Sequence, residues 1–382
     1  MPRAAIDVLY VIANLEYGGG QRTCEILAQA LPREEFALHV ACDRRRPFWE
    51  TIGRLGVCRH EVDFSRRFNP ASVLALRRII RQEHIQLVHS MGRRVDFLAL
   101  WAARWSRIPI MSHVAIRTAY FDVGGLRKRL YRLVEAWMER RFDLQIAVSR
   151  AVEQELHDAG VPSRRVVCIP EAVEVDRLLA RQLSREEACR RLGLDPRWYW
   201  VGTIGRLVPM KGQGVALGAL AHIPAGADIR LLVVGSGPMA DELNTLAERL
   251  HVGERVRLLP FLDDQAVFYS AIDLLVFPSV YSEAFPRVLL EAMVFGRPMI
   301  VSDLPASREV LQDAPFARYV PPGDARGLAT AIIHARRDAE ALRGLSMRAR
   351  QWVAERYDMW RLVPRVADAY RDALKLTTGS AA

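Results

Sequence analysis

Short apolar runs alternate with longer segments of helical periodicity along this chain of 382 residues. Runs such as 36–42 and 274–277 are largely apolar, which is typical of strands buried on both faces of a parallel sheet. Segments such as 70–83 repeat apolar residues at helical spacing. This alternation predicts an α/β fold in which parallel strands are wrapped by helices on both faces.

The predicted elements form two series, and a chain of this length is expected to hold two cores. In the first series we predict strands at 5–12, 36–42, 57–62, 85–89, 109–113, 144–148 and 166–169, with helices at 21–31, 70–83, 93–105, 126–142 and 150–159. In the second we predict strands at 199–204, 230–234 and 274–277, and helices at 213–222, 324–338, 340–356 and 359–375. We place one domain at 1–172, a second at 173–358, and a last helix with its tail at 359–382.

The segment 273–303 predicts a strand, a loop, a helix and a further strand, so its polar residues fall where open α/β sheets bind ligands. Pro286 suits the first turn of the helix, and Gly296 closes it. Glu283 therefore lies in the loop, and Glu291 lies about a turn and a half inside the helix. The amides that begin this helix favour an anion such as a diphosphate. Two carboxylates would repel that anion unless each met hydroxyl groups, so the predicted ligand is a phosphate joined to sugars.

Two other loops predict phosphate contacts. Strand 199–204 leads into Arg206 and Lys211, and a guanidinium with an ammonium on one short loop suits a diphosphate. Gly18-Gly19-Gly20 lies between the first strand and its helix, where glycine lets backbone N–H groups approach an anion.

A rival signal is Gly235-Ser236-Gly237-Pro238-Met239-Ala240, which fits the dinucleotide pattern G-x-G-x-x-A. A nicotinamide site would open the first βαβ unit and place an acidic residue at the end of the next strand. This motif is in mid-chain, and 257–260 contains no acid. His89 and His113 end predicted strands, where a histidine is commonly structural, and we give His89 that role.

Positive charge is concentrated in the first half of the chain. Residues 1–170 contain 27 Lys or Arg and 18 Asp or Glu, whereas the remainder contains 27 and 26. Such a surface suits an anionic membrane or an acidic acceptor; the chain shows no nucleic-acid motif.

The helix at 126–142 has an apolar stripe of Leu126, Leu130, Leu133, Val134, Trp137 and Met138. We predict that it packs on the sheet with its arginines in water, and that membrane binding by this helix or by Arg77, Arg78 and Arg81 is the alternative.

Five widely spaced cysteines suggest neither a disulfide framework nor a zinc site, and a reducing cytosol fits them.

No apolar run approaches the roughly 18 residues that span a bilayer. We interpret 4–15 as a strand and not a signal peptide, because it contains Asp7 and runs into the glycine turn. The chain has no Asp-x-Asp pattern that would hold a divalent ion at a diphosphate.

Three motifs carry a family resemblance. The stretch Ser-Glu-Ala-Phe-Pro-Arg-Val-Leu-Leu-Glu-Ala-Met contains the Glu-x7-Glu pattern of retaining family 4 glycosyltransferases of the GT-B fold. Gly-Gly-Gly-Gln-Arg resembles the entry loop of that family, and Gly-Arg-Leu-x-x-x-Lys-Gly its diphosphate motif. The resemblance covers nearly the whole chain and implies two Rossmann-like domains facing across a cleft.

The resemblance also implies residue roles. Glu283 would face the donor sugar, and His113 would lie near it and orient it. Glu291 would hold the ribose. The remaining implied contacts are Arg206, Lys211, Gly19, Phe285, Arg287 and Val288 at the diphosphate, and Gly235, Gly237, Pro238, Phe261 and Leu262 around the nucleotide. Two features depart from the family: Arg287 replaces a small or amide residue, and Glu171-Ala172 replaces Asn-Gly at the crossing between domains.

The implied activity is metal-independent transfer, with retention, from a UDP- or GDP-sugar to a glycan or lipid-linked acceptor. No cofactor is expected, and cell-surface polysaccharide or lipopolysaccharide synthesis at the cytoplasmic face of the inner membrane is the expected setting. Three alternatives stay open: a GT-B sugar-nucleotide epimerase, an NAD-dependent oxidoreductase that uses Gly235 and Gly237, and a non-enzymatic sugar-nucleotide binder. The sequence does not identify the sugar, the base or the acceptor.

Overall fold

The computed structural model describes residues 5–14, 18–45, 47–66, 69–115, 133–281, 283–312 and 314–378. Its residues form two compact units, Met1–Ala172 with Met359–Ala382, and Val173–Asp358. Each unit contains one parallel sheet with helices, as the alternation of apolar runs predicts.

The first unit contains a sheet of seven strands. These are β1 (Ile6–Ile12), β2 (Phe36–Cys42), β3 (Cys58–Glu61), β4 (Leu87–Met91), β5 (Ile110–Val114), β6 (Leu144–Ala147) and β7 (Val166–Cys168). The helices are α1 (Gly19–Ala30), α2 (Phe48–Arg54), α3 (Pro70–Gln82), α4 (Arg93–Ser106), α5 (133–139), α6 (Arg150–Asp158) and, from the end of the chain, α16 (Met359–Thr378). The strand order β3-β2-β1-β4-β5-β6-β7 reverses between β1 and β4, so the loops after these two strands flank the switch point, where open sheets bind ligands.

The second unit repeats this design with six strands in the order β10-β9-β8-β11-β12-β13. They are β8 (Tyr199–Ile204), β9 (Ile229–Val234), β10 (Val256–Leu259), β11 (Leu274–Phe277), β12 (Met299–Ser302) and β13 (Ala317–Val320). The helices are α7 (Val175–Leu179), α8 (Arg185–Leu192), α9 (Gln213–Ala221), α10 (Ala240–Arg249), α11 (Gln265–Ala271), α12 (Arg287–Val294), α13 (Pro305–Leu311), α14 (Ala325–Arg337) and α15 (Ala339–Tyr357). Here the order reverses between β8 and β11, and the loops after these strands carry the motif residues.

The helix predicted at 126–142 departs from expectation. Its residues 126–132, including Leu126 and Leu130, lie outside the described residues. In the described part Met138 is buried, but Leu133, Val134 and Trp137 are exposed. The prediction that this stripe packs on the sheet is therefore wrong for these three residues. Glu135 and Glu139 are buried instead, and their carboxylates bind the guanidinium of Arg93 at 2.8 and 2.9 Å.

Candidate active site

Two loops of the second unit are in direct backbone contact beside its switch point. Lys211 ends a 3-10 turn in the loop after β8, and Gly212 follows with φ of +67°. A Cβ atom on Gly212 would lie 1.9 Å from the carbonyl oxygen of Pro278, which follows β11. Only glycine fits this approach, and the approach brings Lys211 to the loop that carries Glu283.

Lys211 and Glu283 form an ion pair in the part of the second unit that the motifs single out. Nζ of Lys211 lies 2.5 Å from Oε2 of Glu283, and both side chains are largely shielded from solvent. Ser279 donates a 2.6 Å hydrogen bond to Oε1 of Glu283. Both carboxylate oxygens are therefore occupied, which fixes the side chain in one orientation. Ser279 is not part of the sequence motifs, although it lies four residues before Glu283 in the same loop.

Glu291 lies inside α12, as the sequence predicts, and only 8% of its surface is exposed to solvent. The hydroxyl of Tyr269 donates a 2.7 Å hydrogen bond to Oε2 of Glu291. Burial, and secondarily the carboxylate of Glu291, raise the pKa of Tyr269 well above its usual value, so the phenol stays a donor. Tyr269 was not singled out from the sequence, because it lies on α11, whose apolar residues indicate only a core.

The other diphosphate contacts predicted in the second unit lie in the same two loops and at the start of α12. Arg206 is exposed in the loop after β8, and its backbone carbonyl accepts a 3.1 Å hydrogen bond from the side chain of Gln213. Arg287 and Val288, both half-buried, begin α12 after Pro286. Phe285 contacts the ring of Tyr357, with ring centroids 5.8 Å apart. The loops after β8 and β11 thus place cationic groups and a helix start at one edge of the sheet.

Gly235 and Gly237 have a packing role in the loop after β9. A Cβ atom on Gly235 would lie 1.9 Å from the carbonyl oxygen of Gly205, and one on Gly237 would lie 2.4 Å from that of Leu207. The two backbones are also joined by a 2.9 Å hydrogen bond from the Leu207 amide to the carbonyl of Ser236. This contact explains both glycines without a dinucleotide, so the NAD alternative is not favoured.

The nucleotide-side candidates lie next to this loop. Pro238 and Phe261 are exposed, and Leu262 is half-buried. The amide of Phe261 donates a 3.2 Å hydrogen bond to the hydroxyl of Ser236, which ties the segment after β10 to the glycine loop.

In the first unit, α1 starts two residues earlier than predicted, at Gly19. Gln21 accounts for the difference, because its side-chain carbonyl accepts from the Gly18 amide at 3.0 Å and its NH₂ group donates to the Ala13 carbonyl at 3.1 Å. This capping ties the helix start to the end of β1. Gly19 is exposed at the first helical position.

His113 lies in β5, one residue before its end, and is buried. Its ring stacks on that of His89, and its Nε2 atom lies 3.8 Å from Oε1 of Glu171. Thr23 donates a 2.6 Å hydrogen bond to Oε2 of the same carboxylate. Glu171, which the sequence analysis treated as a change at the domain crossing, is thus a neighbour of a candidate catalytic residue.

His89 has the structural environment predicted for it. It is completely buried in β4, and its Nδ1 atom lies 2.9 Å from the hydroxyl of Tyr370 on α16. Burial, and secondarily His113, hold the pKa of His89 well below its usual value, so the ring is neutral.

Comparisons with known proteins agree with this arrangement. The family model described as Glycosyltransferase Family 4 matches residues 17–177, and that described as Glycosyl transferases group 1 matches residues 184–352. A phosphatidyl-myo-inositol mannosyltransferase from Mycobacterium leprae (strain TN) is 31% identical over 311 residues, which cover 78% of this chain and 76% of that protein. An Escherichia coli UDP-Gal:alpha-D-GlcNAc-diphosphoundecaprenol alpha-1,3-galactosyltransferase is 21% identical over 370 residues, 93% of this chain and 94% of that protein.

A solved structure extends the likeness to the fold. The crystal structure of Anabaena Alr3699/HepE in complex with UDP and glucose superposes with a TM-score of 0.84 at 20% identity, covering 96% of this chain and 99% of that one. Two doubly wound parallel sheets with this likeness show that the chain has the GT-B fold. The chain belongs to glycosyltransferase family 4, which confirms the resemblance found in its motifs.

Proposed function

We propose that this glycosyltransferase moves a sugar, with retention of configuration, from a nucleoside diphosphate sugar to a lipid-linked or glycan acceptor in glycolipid or lipopolysaccharide-type synthesis. UDP- and GDP-sugars are the proposed donors. The relatives named for a phosphatidyl-myo-inositol and for a diphosphoundecaprenol-linked acceptor support a lipid-linked acceptor. The neighbour that binds UDP and glucose supports a uridine donor.

The observation that carries this proposal is the ion pair between Lys211 and Glu283 beside the switch point of the second sheet. A donor diphosphate needs cationic groups that neutralise the charge released when the glycosidic bond breaks. Lys211, Arg206 and the first amides of α12 supply them without a metal ion. Glu283 then holds sugar hydroxyls, and Glu291 holds the ribose.

A mechanism that retains the configuration of the sugar is consistent with the contacts that the Glu283 carboxylate makes. Ser279 occupies one of its oxygens and Lys211 the other, at 2.6 and 2.5 Å. With a donor bound, sugar hydroxyls would take the place of Lys211. A carboxylate engaged on both oxygens is suited to position and stabilise the sugar, and poorly suited to attack it as a nucleophile. We therefore propose same-face attack by the acceptor hydroxyl, with the leaving phosphate oxygen taking its proton.

Thermal shift with a panel of UDP-, GDP- and ADP-sugars tests the donor, followed by transfer assays with lipid-linked acceptors. We expect one nucleotide class to raise the melting temperature and to support transfer. Turnover of the donor in the absence of any acceptor would favour the epimerase instead. Binding without turnover under all acceptor conditions would favour the non-enzymatic binder.

The setting we propose is the cytoplasmic face of a membrane, with peripheral association through the first unit. Among the described residues, no helix combines the length and apolar character that a bilayer span needs. On α4 and α5, however, Trp101, Trp105 and Trp137 are 40%, 53% and 38% exposed. The guanidinium of Arg77 lies over the ring of Trp105 at 5.6 Å, and that of Arg141 over Trp137 at 3.8 Å. Exposed tryptophans beside arginines suit an anionic lipid interface.

Sedimentation with anionic vesicles tests this association. We expect the triple variant Trp101→Ser/Trp105→Ser/Trp137→Ser to lose most of the bound fraction. Trp360→Ser is the matched control, because Trp360 is 57% exposed on α16 and lies outside this aromatic group. Equal sedimentation of wild type and triple variant would remove the membrane part of the proposal and leave the transferase part intact.

A further inference from the structure

A cluster of metal-ligating side chains lies on β2 and β3, apart from the candidate active site. His39 of β2 faces Cys58 of β3 in the strand register, and His60 is two residues beyond Cys58. Residues two apart on a strand point to the same face of the sheet, so Cys58 and His60 share the face of His39. One potential ligand atom from each of these three residues lies within 4.8 Å of the other two.

The spacing of these atoms matches a tetrahedral zinc site. Nδ1 of His39 lies 3.2 Å from Nε2 of His60, and Sγ of Cys58 lies 3.6 Å from the same nitrogen. With Zn–N bonds of about 2.0–2.1 Å and Zn–S bonds of about 2.3 Å, tetrahedral angles separate two nitrogens by about 3.3 Å and a nitrogen and sulfur by about 3.6 Å. Both separations that involve His60 match these values.

A carboxylate orients the first histidine. Nε2 of His39 lies 3.2 Å from Oδ1 of Asp7 on β1. A proton held on Nε2 by this carboxylate leaves the lone pair of Nδ1 directed toward His60, which is the carboxylate–histidine arrangement common around bound zinc.

We propose that His39, Cys58 and His60 bind one Zn²⁺ ion, with Asp7 orienting His39 and solvent occupying the fourth position. Cys58 is exposed and His60 half-buried, so an ion reaches them from solvent. The thiol gives up its proton when the Zn–S bond forms, and that proton passes to solvent. Thiolate and imidazole ligands select zinc over calcium or magnesium.

The cluster lies at the edge of the first sheet, where a bound ion would join two strands. β3 is a four-residue strand at the edge of the first sheet, held there by its pairing with β2. A metal bonded to both strands would clamp this short edge strand. The candidate phosphate loop follows the far end of β1, whereas Asp7 lies at its beginning. The ion is therefore not part of the proposed transfer chemistry, and its loss should leave that chemistry unchanged.

Zinc titration of the tag-free full chain, against a chromophoric chelator, tests the site. We expect one tight Zn²⁺ per chain, a melting temperature raised by several degrees, and loss of both effects in Cys58→Ser and in His60→Gln. Asp7→Asn should weaken binding about 10- to 100-fold. Cys168→Ser, which removes a half-buried thiol of the same unit outside the cluster, is the control and should bind as wild type does.

Cobalt substitution identifies the ligands independently of affinity. Co²⁺ bound here should show the intense visible bands of a tetrahedral site and a thiolate charge-transfer band that Cys58→Ser removes. Failure to bind micromolar zinc would overturn the proposal and leave an ordinary hydrogen bond between the two histidines. Equal zinc binding by wild type and Cys58→Ser/His60→Gln would overturn it as well.

Discussion

Lys211 and Glu283, which lie in different loops, meet at 2.5 Å between Nζ and Oε2. The contact depends on the approach of two backbones at Gly212 and Pro278, where no side chain would fit. Without a donor, the ammonium and the carboxylate neutralise each other. Under the proposed function, an arriving diphosphate would compete with Glu283 for Lys211, and the sugar hydroxyls would then replace the ammonium at the carboxylate.

Lys211→Ala should lower kcat/KM by roughly ten- to a hundredfold, because a charge-assisted hydrogen bond contributes about 1.5–3 kcal/mol. The assay uses the donor identified by thermal shift. Lys375→Ala is the control, since its lysine is 75% exposed on α16 and pairs with Asp372 at the surface. Normal transfer by Lys211→Ala would count against the assignment.

Glu283→Gln should separate turnover from binding. We expect kcat to fall at least tenfold, since the sugar loses its charged partner, while the dissociation constant of the nucleoside diphosphate stays the same or decreases. The reason is that the amide no longer repels the diphosphate or competes for Lys211. Calorimetric titration and steady-state kinetics measure the two effects; a large loss of nucleotide affinity would contradict the roles given to this pair.

Tyr269→Phe should weaken nucleotide binding about threefold to thirtyfold, because Glu291 loses the hydrogen bond that positions it. Tyr319→Phe is a matched control in the same unit, where the hydroxyl donates to the carbonyl of Gln312 at 3.0 Å. Calorimetry with the nucleoside diphosphate measures both variants. Equal affinities would show that Glu291 does not hold the ribose through this arrangement.

The buried carboxyl of Asp96 predicts a pH effect on stability. Burial raises its pKa to about 6, against an ordinary 3.8. The folded chain therefore binds this proton more tightly than the unfolded chain, and stability should fall as the pH rises from about 4 to about 6. The shift corresponds to about 3 kcal/mol at most.

Asp96→Asn should flatten that part of the profile, measured as the thermal midpoint between pH 4 and pH 7. Asp372→Asn removes a carboxyl that is 61% exposed and should follow the wild-type profile. Parallel profiles for wild type and Asp96→Asn would mean that the carboxyl does not titrate in this range.

The sequence predicts the sheets better than the helices between them. β2, β8 and β11 have the predicted bounds, because a strand buried on both faces is apolar along its whole length and stands out from its flanks. The short helices α2, α7 and α8 were not predicted. They have five to eight residues, which is too few for helical periodicity to appear, and tertiary packing stabilises them.

The candidate site also has features that the sequence predicts and features that only the structure shows. Motif spacing identifies Lys211 and Glu283 and places each in its loop, and the resemblance gives them roles. Their contact, and the hydrogen bond from Thr23 to Glu171 across 148 positions, depend on which strand ends meet in space. No local pattern contains that information. The packing prediction for the helix at 126–142 fails at Leu133, Val134 and Trp137, because periodicity does not reveal that Glu135 and Glu139 of the same helix are buried against Arg93.

Gly235→Ala tests whether the Gly-x-Gly motif serves backbone packing. The new Cβ atom would lie 1.9 Å from the carbonyl oxygen of Gly205, so one of the two loops must move, at a cost of about 2–4 kcal/mol. Gly226→Ala is the control, because no atom lies within 4 Å of its Cβ position. Unfolding by urea should show a large loss of stability for Gly235→Ala and almost none for Gly226→Ala. If Gly235→Ala instead keeps its stability and loses only nucleotide affinity, the glycine is required for nucleotide binding and the packing explanation is wrong.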